Sequence, residues 1–228
     1  MDMRRTPRCH LLIALAVAIA TVGAKEQDAA DRSIEQFLAR SEGLPSYRAT
    51  RKLVAENGSR RGWLDAVTEY SPATGLAYEV TAEGGSGYIR NKVLRAVLKG
   101  EQEIIAFGEA ARSSLEPSNY TFLANGVDAD GLANVLISPR RQERVLISGT
   151  MFLRPADGDL VRLQGRLARN PSFWVKNVEI VRKYERIEGA IVPILLESTA
   201  QLRMLGEATL RMTYSYSEID GRAVGSLQ

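Results

Sequence analysis

An α+β fold built on one large, curved antiparallel sheet is predicted by three features of this 228-residue sequence. About ten segments alternate apolar and polar residues with the period of a half-buried strand. Turn signals such as Asn57-Gly58, Asp130-Gly131 and Asp157-Gly158 separate them, while helical spacing is confined to two blocks. The last two segments, Ile191 to Met204 and Glu207 to Ser217, meet at Leu205-Gly206 and are about twice the usual strand length of ~5–6 residues. Arms of that length either extend well beyond a small sandwich or curve around something, and curvature points to a barrel or half-barrel.

The N-terminus combines Arg4, Arg5 and Arg8 with an apolar run from Leu11 to Val22 and the small residues Val22-Gly23-Ala24. This is the three-part layout of a secretory signal. The run is nearer the ~10–14 residues of a signal core than the ~20 of a membrane span. Cleavage after Ala24 is expected, leaving 25–228 as a single domain that is secreted, periplasmic and not membrane-spanning. The one cysteine, Cys9, and the one histidine, His10, lie in the segment removed. The whole chain carries 30 Lys and Arg against 27 Asp and Glu; without residues 1–24 the balance is 27 against 26. The basic character therefore belongs mainly to the leader, and nucleic acid is not an expected partner, since such proteins usually show a basic face.

In the remaining chain Asp31 or Ser33 is expected to cap a short helix carrying Ile34, Phe37 and Leu38 on one face, ended by Gly43-Leu44-Pro45. Strands are expected from Tyr47 to Glu56, Gly62 to Tyr70 and Leu76 to Glu83. In the first, Tyr47, Ala49 and Leu53 oppose Arg48, Thr50 and Lys52. Gly84-Gly85-Ser86-Gly87 then leads into a helical segment reaching about Ala111, with Ser86 as its cap. Its stripe of Ile89, Val93, Leu94, Val97, Leu98, Ile104 and Ile105 needs an apolar surface beneath it. Arg90, Lys92, Arg95, Lys99, Glu101 and Glu103 are expected to face away, and Gly100 to weaken or kink the helix. Strands resume from Tyr120 to Ala124, Ala133 to Ile137, Arg144 to Leu153, Leu160 to Ala168 and Trp174 to Arg186, followed by the final hairpin. In its second arm Ala208, Leu210, Met212, Tyr214 and Tyr216 share a face; Val192, Ile194, Leu196, Ala200 and Leu202 do so in the first.

Losing the only histidine and cysteine removes Ser-His and Cys-His catalysis, His-Glu-x-x-His zinc chemistry and cysteine-rich metal sites. Ser-x-x-Lys spacing is absent. No enzyme activity, cofactor or metal is expected. Gly84 to Gly87 lacks the Gly-Lys-Ser/Thr ending of a nucleotide loop. The aspartates at 128, 130, 157 and 159 read as turn residues; a calcium loop starting at Asp128 would place glutamate where Pro139 stands. Pro139-Arg140-Arg141-Gln142-Glu143-Arg144 reads as a solvated basic turn and the best candidate for a membrane-facing or partner-facing edge. Tyr47, Trp63, Tyr78, Trp174, Met212 and Tyr214 are either core or the lining of an apolar concavity.

The order of features, with Ser46-Tyr47-Arg48-Ala49-Thr50, the interrupting helix, Glu197-Ser198-Thr199-Ala200-Gln201 and Met212-Thr213-Tyr214-Ser215-Tyr216, resembles the LolA-like superfamily. That superfamily comprises periplasmic lipoprotein carriers and related outer-membrane lipoprotein-sorting proteins, and the resemblance covers most of residues 31–220. It implies an unclosed antiparallel β-barrel covered by helices, with an apolar cavity for acyl chains and no covalent chemistry. The same fold serves in periplasmic stress sensors. Carriers of this family latch their lid with an arginine before a proline; Ser71-Pro72 stands in that neighbourhood here.

The expected function is thus a periplasmic carrier binding a lipid or acylated lipoprotein between the sheet and the helix after Gly87. Its expected ligand wall is Tyr47, Trp63, Tyr78, Ile89, Val93, Val97, Trp174, Leu196, Leu202, Leu210, Met212 and Tyr214. The alternative is an envelope-sensing or protein-interaction module on the same fold with a filled core, whose partners would be envelope membrane proteins.

Overall fold

The computed structural model describes residues 25–40, 43–204 and 206–225. The expected signal segment, with Cys9 and His10, lies outside them. Strands β1 (Tyr47–Asn57), β2 (Arg60–Ser71), β3 (Gly75–Gly85), β4 (Tyr120–Val127), β5 (Ala133–Pro139), β6 (Ile147–Leu153), β7 (Leu160–Leu167), β8 (Val175–Ile187), β9 (Ala190–Leu202) and β10 (Gly206–Ile219) form one sheet. Its order is β3-β2-β1-β10-β9-β8-β7-β6-β5-β4, with the short β11 (Arg222–Ala223) beside β10. Every pairing is antiparallel. β3 and β4 end the order as edges, so the sheet is an unclosed half-barrel.

The predicted alternation sets the inner face. In β1 Tyr47, Ala49, Arg51, Leu53 and Ala55 are buried while Arg48, Lys52 and Glu56 are exposed. Bulges in several pairings, including Arg48/Ala49, Phe152/Leu153 and Lys183/Tyr184, add bend and twist. Gly149 and Gly165 face each other across β6 and β7. A Cβ on Gly149 would lie 2.1 Å from the Gln164 carbonyl oxygen, and one on Gly165 2.3 Å from that of Ser148. Only bare backbone permits that approach, and it marks a tight bend of the sheet. Gly149→Ala is expected to destabilise the fold by about 2 kcal/mol through overpacking. Chemical denaturation would show this as a lower midpoint; an unchanged midpoint would remove the pair from the account of curvature.

Helix α1 covers the described residues 25–38, so helix already precedes the expected cap at Asp31 or Ser33. Ser33 is therefore interior, its hydroxyl donating to the Ala29 carbonyl at 2.8 Å instead of capping. Helix α2, residues 87–106, is α-helical at Gly87–Ile89 and Arg95–Ala106 and π-helical at Arg90–Leu94. The extra residue of the π turn explains why Ile89, Leu94 and Leu98 are buried together despite a first interval of five residues. The irregularity expected at Gly100 thus falls earlier, and the helix runs through that glycine. Ser86 holds the N-cap position but its side chain makes no capping bond; its carbonyl accepts from the Arg90 amide at 3.0 Å. A strap, 107–119, with a 3-10 turn at Glu109–Arg112, leads from α2 to β4.

The buried side chains form three packed clusters. Ile89, Leu94 and Leu98 of α2 pack on Leu53, Ala55, Leu64, Ala66 and Met212. Ala30 of α1, with Ile34 and Phe37 against it, packs on the β4 to β8 side. The third joins Tyr47, Ala49, Leu76, Val192 and Ile219.

Candidate functional site

Between the clusters the inner face turns polar. Arg51 is fully buried, 0% exposed, at a position of β1 whose parity is otherwise apolar. It forms an ion pair with Glu101 of α2, donates to the Tyr47 hydroxyl at 2.5 Å and lies 4.8 Å from the Tyr214 ring centre. Burial opposes the charge on Arg51, but the Glu101 carboxylate outweighs it and raises the guanidinium pKa. Burial pushes the Tyr47 phenol up to about 12. Glu101 therefore faces inward, contrary to the amphipathic reading, because its spacing from Val97, Leu98 and Ile105 keeps it on the buried stripe. Arg90 and Arg95 also turn back, both pairing with Glu83 of β3 at 2.7 and 2.6 Å. These ions fasten α2 to β1 and β3.

On the other half of the concave face lies a cavity of about 760 Å³, bounded by α1, the strap and β6 to β9. Phe37, Leu38, Leu115, Ile147, Leu163 and Ile191 give it an apolar lining. It runs lengthwise: Gly189 and Ala190 belong to the β8–β9 turn, while Leu115, Pro117 and Val145 lie towards the opposite strand ends. Its volume falls within the ~300–1,000 Å³ of small-molecule sites. Tyr120, Arg182 and Tyr184 are its polar groups on the sheet, and Arg40, Ser113, Ser114, Glu116, Glu188 and Asp220 also line it. The Tyr120 hydroxyl accepts the Ile147 amide at 3.1 Å, and burial raises its pKa.

Two arginines line the cavity, and only one is neutralised. Arg40 pairs with Asp159. Arg182 follows Val178 and Ile180 on the inward parity of β8, opposite Leu163 and Leu196. It is half-buried, its Nε is shielded without a hydrogen-bond partner, and among the described residues no carboxylate lies within ion-pair distance. Arginine cannot shed its charge to relieve this.

Asp159, 1% exposed, anchors the end of the cavity wall. It accepts from Arg40, from Arg154 at 3.0 Å and from Arg186 Nε at 2.8 Å, joining the end of α1 to the β6–β7 and β8–β9 turns. Asp128, by contrast, is a turn residue as expected: its Oδ1 accepts the amides of Asp130 and Leu132. The basic turn 139–144 fastens the strap, with Arg141 donating to Asn119 Oδ1 and Asn119 donating to the Ala111 and Ser114 carbonyls. No group of three or more His, Cys, Asp or Glu side chains among the described residues could hold a metal.

The sequence-derived wall is placed elsewhere. Tyr78, Ile89, Val93, Val97, Leu196, Leu210, Met212 and Tyr214 come together, but as the packed cluster beneath α2. Tyr47 joins the third cluster, Leu202 is half-buried near the end of β9, and Trp63 and Trp174 are exposed. None of the twelve lines the 760 Å³ cavity. Arg182, Tyr184 and Tyr120 are not among the sequence-derived site residues, and Asp159, read as a turn residue, is instead a buried ion-pair centre; the available signal for Arg182, as for Arg51, is a cation on the apolar parity of a strand.

No family model and no curated protein matches the chain. Among solved structures it is similar to a DUF1329 family protein from Desulfovibrio piger, at 9% identity over 85% of this chain and 91% of that one, TM-score 0.39. It is also similar to a LolA superfamily protein from Nitrosomonas europaea, at 9% identity over 86% and 94%, TM-score 0.40. The Pseudomonas aeruginosa MucA/MucB complex matches at 11% identity over 83% and 94%, TM-score 0.22. These likenesses are distant, and the chemistry of the site rests on this chain's own geometry.

Proposed function

We propose that residues 25–228 form one periplasmic, non-enzymatic binding domain that carries an elongated apolar ligand with an anionic end. The observation that carries this reading is the lengthwise apolar cavity containing an unneutralised arginine, Arg182. Each methylene withdrawn from water contributes about 0.8 kcal/mol, so a chain filling the cavity supplies affinity. Among the described residues Tyr184 is a neutral partner for Arg182 and no carboxylate reaches it, so a carboxylate or phosphate end would give it an anionic one. The secretory layout of residues 1–24 and the absence of histidine and cysteine from residue 25 onward support a carrier outside the cytoplasm rather than an enzyme.

A fluorescent fatty acid and its matched alcohol test this in solution. The wild-type protein is expected to bind the acid more tightly. Arg182→Met is expected to weaken the acid about tenfold or more, because hydrogen bonds to charged groups contribute ~1.5–3 kcal/mol, while changing the alcohol little. Ile191→Trp, which fills the cavity, should weaken both. No binding of either probe to the wild-type protein would sink the proposal.

The packed cluster beneath α2 favours a second reading for that half: a protein-interaction surface on a filled core. Leu196, Leu210 and Met212 would form a ligand wall there only if α2 lifted, against its ion pairs with Arg51 and Glu83.

A further inference from the structure

The antiparallel register gathers at one end of the half-barrel the β1–β2 turn, the β3–α2 junction, the connections 140–146 and 168–174, and the β9–β10 turn. Phe173, Trp174 and Met204 project from the last two, 72, 58 and 79% exposed. Their presentation is fixed by hydrogen bonds. The Arg203 amide donates to the Trp174 carbonyl at 2.9 Å, Arg203 Nε donates to the Phe173 carbonyl at 2.7 Å, and the guanidinium lies 4.6 Å from the Phe173 ring centre. The two rings meet edge to face at 5.6 Å. Clustered exposed apolar groups of this kind mark a contact surface.

The charge around them identifies the contact. Arg60, Arg144, Arg169, Lys176 and Arg203 have no carboxylate within ion-pair distance among the described residues. At the same end Glu56 and Glu143 are already paired with arginines, leaving Glu116 and Glu207 against those five cations.

We propose that this end docks peripherally on an anionic lipid surface, with Phe173, Trp174 and Met204 entering the interface and the surrounding cations lying over the headgroups. Amphipathic rings favour the headgroup level, and clustered Lys and Arg bind anionic leaflets. The docking surface is built from side chains that do not line the cavity, so it stands whether or not the cavity takes a ligand.

Flotation of the full chain with phosphatidylcholine vesicles, with and without phosphatidylglycerol, tests the proposal. The protein is expected to float with the anionic vesicles, in a salt-sensitive manner, and much less with the neutral ones. In a Trp63→Phe background, Trp174 emission should shift to the blue on binding. Phe173→Ser/Trp174→Ser and Arg169→Glu/Lys176→Glu should each reduce vesicle binding about tenfold or more. All these side chains are exposed, so thermal unfolding and solution probe binding should not change. Absence of flotation, equal flotation of the variants, or equal binding to neutral vesicles would overturn the proposal. So would protection of Trp174 that requires a membrane protein and is absent with lipid alone.

Discussion

Glu101→Leu is expected to destabilise the protein by about 3 kcal/mol, the lower part of the range for removing one partner of a buried ion pair. Arg51 would stay charged with only the Tyr47 hydroxyl and the Tyr47 and Tyr214 rings around it. Arg51→Met should cost less, because the Glu101 side chain is 33% exposed and can be hydrated when its partner is gone. The double variant should recover much of the loss of Glu101→Leu, since a well-packed apolar pair avoids the desolvation of both ions. A denaturation double-mutant cycle measures all three. Equal losses in the single variants, summing in the double, would show that the pair is not what fastens α2 to β1.

Asp159→Asn is expected to cost about 2–3 kcal/mol, since it leaves Arg40, Arg154 and Arg186 converging on a neutral amide. Each arginine keeps some contact with solvent, which holds the loss at the lower end. Burial alone would raise the Asp159 pKa; hydrogen bonds from Arg186 and Arg40 outweigh it and hold the carboxyl at about 2, below its ordinary 3.8. Because the folded value is the lower one, the stabilisation is present above the unfolded pKa and is lost as pH falls through 3.8 towards 2. The difference corresponds to about 2 kcal/mol. Acid titration of stability should therefore be shallower in Asp159→Asn over that window. An identical pH profile would remove Asp159 from the clamp. The same substitution should also loosen α1 at the cavity, since Arg40 both binds Asp159 and lines the wall.

Much of the sheet was legible because alternation reports burial directly. Tyr47, Ala49 and Leu53 and the arm from Leu210 to Tyr216 lie on the predicted faces. Strand ends shifted by one to three residues, as where Arg144 stands before the observed start of β6 at Ile147. The stripe of α2 is evident in the sequence, but the charge of Glu101 points to solvent while its ion pair with Arg51 holds it inward. Asp159 is equally opaque: Asp157-Gly158 is a turn, yet its neighbour is buried against Arg154 of the same turn, Arg40 just after α1 and Arg186 of β8.

The sequence by itself determined the strand-rich architecture, the amphipathic cover and the absence of histidine and cysteine chemistry beyond residue 24. Each is a local property of spacing or composition. Only the tertiary structure decided which part of the concave face is filled and which is open. Leu210 and Met212 carry the periodicity of a cavity wall, but Ile89, Leu94 and Leu98 occupy the space before them. Leu163, Arg182 and Ile191 carry no stronger signal, yet they face about 760 Å³ bounded by α1 and the strap. Alternation fixes which way a side chain points; the volume in front of it is set by residues distant in the chain.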